Sequence, residues 1–139
     1  MSDRPRFVFD AGVVVSAALF QGSTPDLALR RGLQCGELLA SQATIAELSE
    51  VLARAKFDRY LTRDERDLFL AKYVQRVNLV EVSAEIKLCR DSKDDKYLEL
   101  AQDGRARLIV SGDNDLVDLH SFAGVSILSP SEFLKLPAF

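Results

Sequence analysis

Short apolar runs alternate with longer amphipathic stretches along the chain. The apolar runs predict strands over residues 6–9, 38–40, 78–82, 107–110 and 125–128. Helical spacing, or an Ala-rich apolar run, predicts helices over residues 13–20, 24 to near 32 or 36, 43–53, 62–77, 94–102 and 114–122, with a closing helix after Ser129. Because the strands are apolar throughout and are separated by helices, the pattern predicts an α/β fold. We expect three layers, with a mostly parallel sheet of about five strands between two layers of helices.

Polar residues mark where several of these helices begin. Pro25 suits the first turn of a helix that Thr24 would cap, and Ser41 is placed to cap the helix that follows it. Thr62 and Glu65 have the spacing of a capping box. No repeat, low-complexity tract or linker interrupts the sequence, so we expect a single domain over residues 1–139.

Composition removes several classes of protein. With 139 residues, 47% hydrophobic residues and a net charge of −3, the chain is typical of a water-soluble domain. No apolar run approaches the roughly 20 residues of a membrane span, and the amino terminus lacks the apolar core of a signal peptide. Two isolated cysteines, Cys35 and Cys89, are typical of the reducing cytoplasm, where we expect the protein. A single histidine, His120, excludes a zinc site built on several histidines, and no glycine-rich nucleotide-binding loop is present.

Acidic residues stand where predicted strands end. Asp10 directly follows the first strand, and Asp113 and Asp115 follow the fourth. The carboxyl ends of parallel strands meet at one edge of the sheet, where sites form in α/β folds. Asp94 and Asp95 begin a helix whose N-terminus points toward the same edge. We therefore expect these carboxylates to converge.

Glu47 adds a further acidic candidate, because it lies at the border of the apolar face of its helix. Carboxylates drawn together repel one another, and a divalent cation removes that conflict. A set of acids with almost no histidine favours Mg²⁺ or Mn²⁺. Each acid taken singly also has a structural interpretation, as a helix cap, a turn residue or a solvated side chain. Their expected convergence at one edge favours the metal site.

The order of these motifs resembles the PIN-domain family, especially its prokaryotic members that are toxins of toxin–antitoxin pairs. Residues 7–17 (FVFDAGVVVSA) resemble the family's opening Asp-Thr-Asn-Val-Leu-Val-Ser-Ala signature. Four later segments resemble the family's second acidic helix, third motif, fourth motif and closing segment: residues 46–52, 90–101, 108–116 and 127–134. The resemblance covers nearly the whole chain, and its specificity comes from the order and spacing of the motifs together.

The resemblance implies four metal-binding catalytic acids: Asp10, Glu47, Asp95 and Asp113. It implies that Asp115 is an additional ligand, that Ser16 and Ser111 support the ligands, and that Asp95 serves in preference to Asp94. The activity implied is hydrolysis of single-stranded RNA with Mg²⁺ or Mn²⁺. A homodimer and a small antitoxin protein that blocks the site are the partners implied.

One departure from the family bears on activity. Ala11 and Gly12 stand where the family has Thr-Asn after its first acid. Losses of groups that support metal ligands cost about 10–100-fold in metal affinity or activity. An alternative function is therefore a PIN scaffold that binds RNA or a protein without efficient turnover. A phosphatase with Asp10 as nucleophile is less favoured, because it would need a second acid at position 12.

A basic segment offers contacts to RNA. Residues 54–76 carry a net charge of +3, which leaves −6 for the rest of the chain. Four residues are candidate RNA contacts: Arg54, Lys56, Arg59 and Arg63. Phe57 and Tyr60 lie among them and could stack on bases, or could instead be buried in a solvated helix pair. Residues 13–20 and 134–139 are candidate dimer or antitoxin surfaces, or parts of the core.

Overall fold

The computed structural model describes residues 4–139 and centres on a six-stranded sheet. The strands are β1 (Arg6–Phe9), β2 (Glu37–Ala40), β3 (Asn78–Leu79), β4 (Leu108–Val110), β5 (Ser121–Phe122) and β6 (Val125–Leu128). Their order across the sheet is β3-β2-β1-β4-β6-β5, and all neighbouring pairs are parallel except β5 with β6. The predicted mostly parallel sheet between helices is confirmed, and the additional strand is β5.

Within residues 4–139, seven α-helices connect and cover the strands. They are α1 (Ala11–Leu19), α2 (Thr24–Cys35), α3 (Gln42–Leu52), α4 (Arg63–Arg76), α5 (Asp95–Gly104), α6 (Asn114–Val117) and α7 (Pro130–Leu134). Short 3₁₀ turns, Ala55–Phe57 and Ser92–Asp94, precede α4 and α5. No helix within residues 4–139 combines the length and the apolar character needed to span a bilayer.

The caps agree with the sequence at α3 and α4 and differ at α2. Ser41 and Thr62 both form capping boxes, with Glu65 completing the second. The prediction that Thr24 caps α2 is wrong, because Thr24 is already helical. The cap is Ser23, whose extended backbone precedes the helix and whose side chain accepts the N–H of Asp26 at 3.4 Å.

Both faces of the central strands β1, β2 and β4 are buried, which explains why these strands are almost entirely apolar. Phe7 and Phe9 pack into a core beneath α1, α2, α3 and α7, whereas Val8 packs on the other side with α5. Residues 13–17 of α1 are largely buried in the first core. Phe139 packs against Phe7, with ring centroids 5.1 Å apart. Residues 13–17 therefore belong to the core, whereas residues 134–139 contact it through Leu134, Leu136 and the Phe139 ring and are exposed at residues 137–139.

The predicted strand over residues 78–82 is too long. The last backbone bond to the sheet is the N–H of Val80 to the carbonyl of Ala40 at 2.8 Å, and carboxylates of α5 accept the N–H groups of the segment that follows. Asp103 accepts the N–H groups of Ser83 and Ala84 at 2.7 and 2.9 Å. Glu99 accepts that of Ile86 at 2.9 Å.

The predicted helix over residues 114–122 is also too long. It ends at Val117, and His120 then adopts a positive φ of 62°. Ala123 and Gly124 have φ values of 49° and 84°, which suit a two-residue hairpin turn that folds β5 back on β6. A pairing with a neighbouring strand has overridden a weak local helical pattern.

Candidate metal centre

The carboxyl ends of β1 and β4 form the floor of an acidic pocket. These two strands are central neighbours, and the chain leaves them toward opposite sides of the sheet, which is where α/β folds place their sites. A cavity of about 620 Å³ opens at this point. Five acids line it: Asp10, Glu47, Asp91, Asp94 and Asp113. Four of them, all but Asp91, were candidates from the sequence, and they come from four separate parts of the chain.

Asp10 is held rigidly at the base of the pocket. It caps α1, and its Oδ1 accepts the N–H of Val13 at 2.9 Å. The hydroxyl of Ser111 donates to its Oδ2 and accepts the N–H of Asp113 at 2.9 Å, so one serine links two acids. Burial raises the pKa of Asp10 from 3.8 to about 6, although the hydrogen bonds from Ser111 and Val13 act in the opposite direction.

A second group of acids lies beside Asp10. One carboxylate oxygen from each of Asp94, Asp113 and Asp115 lies within 4.8 Å of the others. Asp94 is buried, and its Oδ2 has no hydrogen-bond partner among the described residues. Burial first, and then the adjacent Asp113 carboxyl, raise the pKa of Asp94 to about 7. Asp115 also forms an ion pair with Arg90, whose Nε lies 2.9 Å from Asp115 Oδ1 at the edge of the group.

The structure places Asp94 in the pocket, whereas Asp95 binds backbone N–H groups. Asp95 Oδ1 accepts the N–H groups of Leu88 and Cys89 at 3.1 and 2.8 Å. Although burial raises its pKa, these hydrogen bonds bring the net shift downward. The preference for Asp95 came from the register of the family's third motif. Asp94 belongs to the 3₁₀ turn before α5, and this turn directs its side chain into the pocket.

Asp95 is the first of three acids on one face of α5. Asp95, Glu99 and Asp103 are spaced four residues apart, so their side chains lie in a row. All three accept backbone N–H groups from the segment over residues 83–89. We call this row the acidic ladder. The four-residue spacing of these acids was visible in the sequence, but their backbone partners were not.

Glu47 reaches the pocket from α3 and is already paired. Lys96 Nζ lies 2.8 Å from Glu47 Oε2, and the Tyr97 hydroxyl donates to Oε1. The same hydroxyl accepts the N–H of Ala11 at 3.0 Å, which ties Glu47 to the start of α1. Lys96 and Tyr97 were not among the residues predicted for the site. The adjacency of Lys96 to two aspartates was a signal for the ion pair, whereas Tyr97 stands beside Leu98 and gave no polar signal.

Ser16 also lines the pocket, one helical turn beyond Gly12 on α1. Gly12 stands where the family signature has an amide side chain. A Cβ atom at this position would meet only Asp10 Oδ1, at 3.6 Å, which is ordinary contact. The pocket therefore has room for a side chain at position 12 directly beside the first acid.

Basic residues lie at the mouth of the pocket. Arg54 and Lys93 line it from two sides. Lys56 and Arg59 are exposed on the segment after Arg54, and exposed Arg63 forms an ion pair with Asp67 at 3.0 Å. The net charge of +3 for residues 54–76 overstates the positive charge that a ligand can contact, because one of the cations is buried. Arg66 is 1% exposed, and its guanidinium donates to Asp58 and to the carbonyls of Leu52 and Arg54.

The donor set of the pocket fits a hard divalent cation. Carboxylate oxygens dominate it, and these are the ligands that Mg²⁺ and Mn²⁺ prefer. The partnerless, buried Oδ2 of Asp94 would gain a partner in such an ion. The raised pKa values of Asp10 and Asp94 report an environment that penalises negative charge, which a cation would relieve.

Comparisons with known proteins agree with the fold. The chain is similar to the structure of VapBC2 from Rickettsia felis, bound to a DNA fragment from their promoter, at 12% identity and a TM-score of 0.61; the match covers 88% of this chain and 96% of that one. It is similar to VapC20 from Mycobacterium tuberculosis, described as a sarcin-ricin loop cleaving toxin, at 12% identity and a TM-score of 0.56, with 86% and 98% covered. FitAcB from Neisseria gonorrhoeae matches at 16% identity and a TM-score of 0.56, with 90% and 98% covered.

The family itself is established by sequence. No curated protein matches the chain. The PIN-domain family model, however, matches residues 6–115, which include every acid of the pocket. Proteins of this family are typically nucleases that use divalent metals. The chain belongs to the PIN-domain family.

Proposed function

We propose that the protein is a Mg²⁺- or Mn²⁺-dependent endoribonuclease that hydrolyses single-stranded RNA, and that it is the toxin of a toxin–antitoxin pair. The observation that carries the proposal is the partnerless, buried Asp94 Oδ2 beside Asp10 and Asp113. An acidic pocket with an unused buried oxygen is suited to a cation. The family match and the toxins among the similar structures support the nuclease assignment.

Four acids would hold the ion: Asp10, Glu47, Asp94 and Asp113. Asp115 is a further ligand at the edge, and Asp94 replaces Asp95 in this proposal because of its position in the pocket. A bound Mg²⁺ or Mn²⁺ supplies a water of lowered pKa and offsets the charge that develops on a phosphodiester. Ser111 fixes the position of the Asp10 carboxylate relative to the backbone of Asp113 by hydrogen bonds, and the Tyr97 hydroxyl fixes that of Glu47.

The basic residues at the mouth of the pocket would bind the RNA backbone. Arg54 and Lys93 line the pocket itself, and Lys56, Arg59 and Arg63 extend the positive charge beyond it. Net charge elsewhere is negative, so these contacts would carry the electrostatic attraction to phosphate. A homodimer and an antitoxin that covers the pocket complete the proposal, and sedimentation of the purified protein tests the dimer.

Calorimetric titration of Mn²⁺ tests the metal centre. We expect wild type to bind Mn²⁺ and to cleave a labelled single-stranded RNA, and Asp10→Asn and Asp94→Asn to lose both properties. Asp95→Asn is the matched control, since the same substitution one position away should keep metal binding. Loss of binding in Asp95→Asn with retention in Asp94→Asn would return the ligand role to Asp95.

A scaffold that binds RNA without efficient turnover is the second candidate. The close pairing of Glu47 with Lys96 and Tyr97 favours it, because this acid is occupied before any cation arrives. Binding of Mn²⁺ and RNA without cleavage under any metal would support this function over the nuclease.

A further inference from the structure

An aromatic pair is exposed close to the acidic pocket. Phe20 and Tyr60 pack edge to face, with ring centroids 5.0 Å apart and an interplanar angle of 76°. Their residues are 43% and 44% exposed, whereas the comparable pair of Phe7 and Phe133 lies in the core. Aromatic surface kept in water contributes little to folding, so a ligand is the natural use for it.

Both walls of the pocket lead to this pair. Gly12 and Ser16 line the pocket from α1, and Phe20 follows Ser16 by four residues, about 6 Å farther along the same face. On the opposite wall, Arg54 lines the pocket and the chain continues through the 3₁₀ turn to Tyr60. The contact between Phe20 and Tyr60 therefore joins the end of α1 to the segment that follows Arg54.

Positive charge accompanies the aromatic rings. The Arg59 guanidinium lies 5.2 Å from the ring centroid of Tyr60, and the Lys56 ammonium lies 5.1 Å from that of Phe57. Flat apolar surfaces beside cations match the chemistry of a single-stranded nucleic acid, in which unpaired bases alternate with phosphates. A purely apolar partner would not account for the cations.

We propose that Phe20 and Tyr60 form a base-stacking platform for the nucleotide next to the scissile phosphodiester, with Arg59 contacting its phosphate. The inference rests on the proposed ribonuclease function and deepens it by assigning the path of the RNA. The strand enters the acidic pocket along α1, and one flanking base leaves the strand to stack on the exposed rings. The platform is indifferent to base identity, because every base presents a flat π face.

Binding of a short labelled oligoadenylate, measured by fluorescence anisotropy in EDTA at low salt, tests the platform without cleavage. Tyr60→Ala and Phe20→Ala should each weaken binding by about 5- to 150-fold, the range for removal of one stacking partner. Tyr60→Phe keeps the ring and should bind within about twofold of wild type. Leu79→Ala removes another exposed apolar side chain, on β3 at the sheet edge, and should not change binding.

Tyrosine emission provides an independent signal. The chain has no tryptophan and three tyrosines, of which Tyr73 and Tyr97 are buried. Stacking of a base should therefore quench the emission of exposed Tyr60 in wild type. The quenching should disappear in Tyr60→Phe although this variant still binds the oligonucleotide.

Unchanged affinity in Tyr60→Ala and Phe20→Ala would overturn the platform. If their sedimentation also changed, the pair would be a contact between copies of the chain. Failure of wild type to bind the oligonucleotide would overturn it as well. The ribonuclease proposal fails separately: binding and quenching without cleavage after addition of Mn²⁺ or Mg²⁺ would refute hydrolysis and leave the platform intact.

Discussion

Replacement of Asp10 by asparagine should stabilise the metal-free protein while abolishing metal binding. Asp10 is 5% exposed, and burial raises its pKa from 3.8 to about 6. An asparagine keeps an oxygen for the N–H of Val13 and caps helices as well as aspartate does. The substitution therefore removes an unfavourable buried charge and leaves the local structure in place.

The sign and size of the effect follow from proton linkage. Between pH values of 3.8 and about 6 the native state keeps the Asp10 proton that the unfolded chain has lost. Wild-type stability thus falls as pH rises through this window, and the fall is complete above about pH 6. The difference in pKa corresponds to about 3 kcal/mol, and this net value already includes the opposing hydrogen bonds from Ser111 and Val13. We expect Asp10→Asn to be more stable than wild type by about 3 kcal/mol near neutral pH.

Urea unfolding in EDTA at about pH 4 and about pH 8 measures this difference. The advantage of Asp10→Asn should be large at the higher pH and small at the lower one. Saturating Mn²⁺ should stabilise wild type, by about 2.7 kcal/mol at a hundredfold excess over Kd, and should not stabilise Asp10→Asn. Asp95→Asn is the control of opposite sign, because backbone N–H groups stabilise the Asp95 carboxylate, and we expect a loss of about 1–2 kcal/mol. An Asp10→Asn variant that is less stable than wild type at the higher pH without metal would refute the reasoning.

Three further predictions concern other parts of the molecule. Gly12→Asn should raise Mn²⁺ affinity or cleavage rate by about 10–100-fold, because it restores the family's amide beside Asp10, whereas Gly12→Ala should not. Calorimetry and RNA cleavage measure the two quantities, and equal values in the two variants would contradict the prediction. Arg66→Met should destabilise the protein by about 3 kcal/mol in urea unfolding, because the carbonyls of Leu52, Arg54 and Thr62 and the carboxylate of Asp58 lose their donor; an unchanged midpoint would show that water replaces it. RNA affinity should fall with salt with a log–log slope of about −3 if Arg54, Lys56, Arg59 and Arg63 each contact a phosphate, and a flat response would exclude that footprint.

The strands and most helices could be predicted because their signals are local. β1 and β4 are apolar on both faces of the sheet, so their patterns do not depend on where they pair. Ser41 and Thr62 cap helices within four residues of their own position. The elements that were mispredicted depend on distant partners. The acidic ladder draws residues 83–89 away from the sheet, and β6 recruits residues 121–122 as a strand.

The sequence by itself determined the type of fold, the family and the convergence of acids at one sheet edge, because strand ends and motif order follow from local patterns. Tertiary structure decided which acids face the pocket. Asp94 and Asp95 are neighbours with the same chemistry, and a single 3₁₀ turn sends one side chain to the pocket and leaves the other for the backbone of residues 88–89. Tertiary structure also decided which cationic side chains can contact a ligand, since Arg66 donates to backbone carbonyls and Lys96 forms an ion pair with Glu47. Orientation and pairing of polar side chains depend on contacts between segments far apart in the chain, and these contacts exist only once the chain has folded.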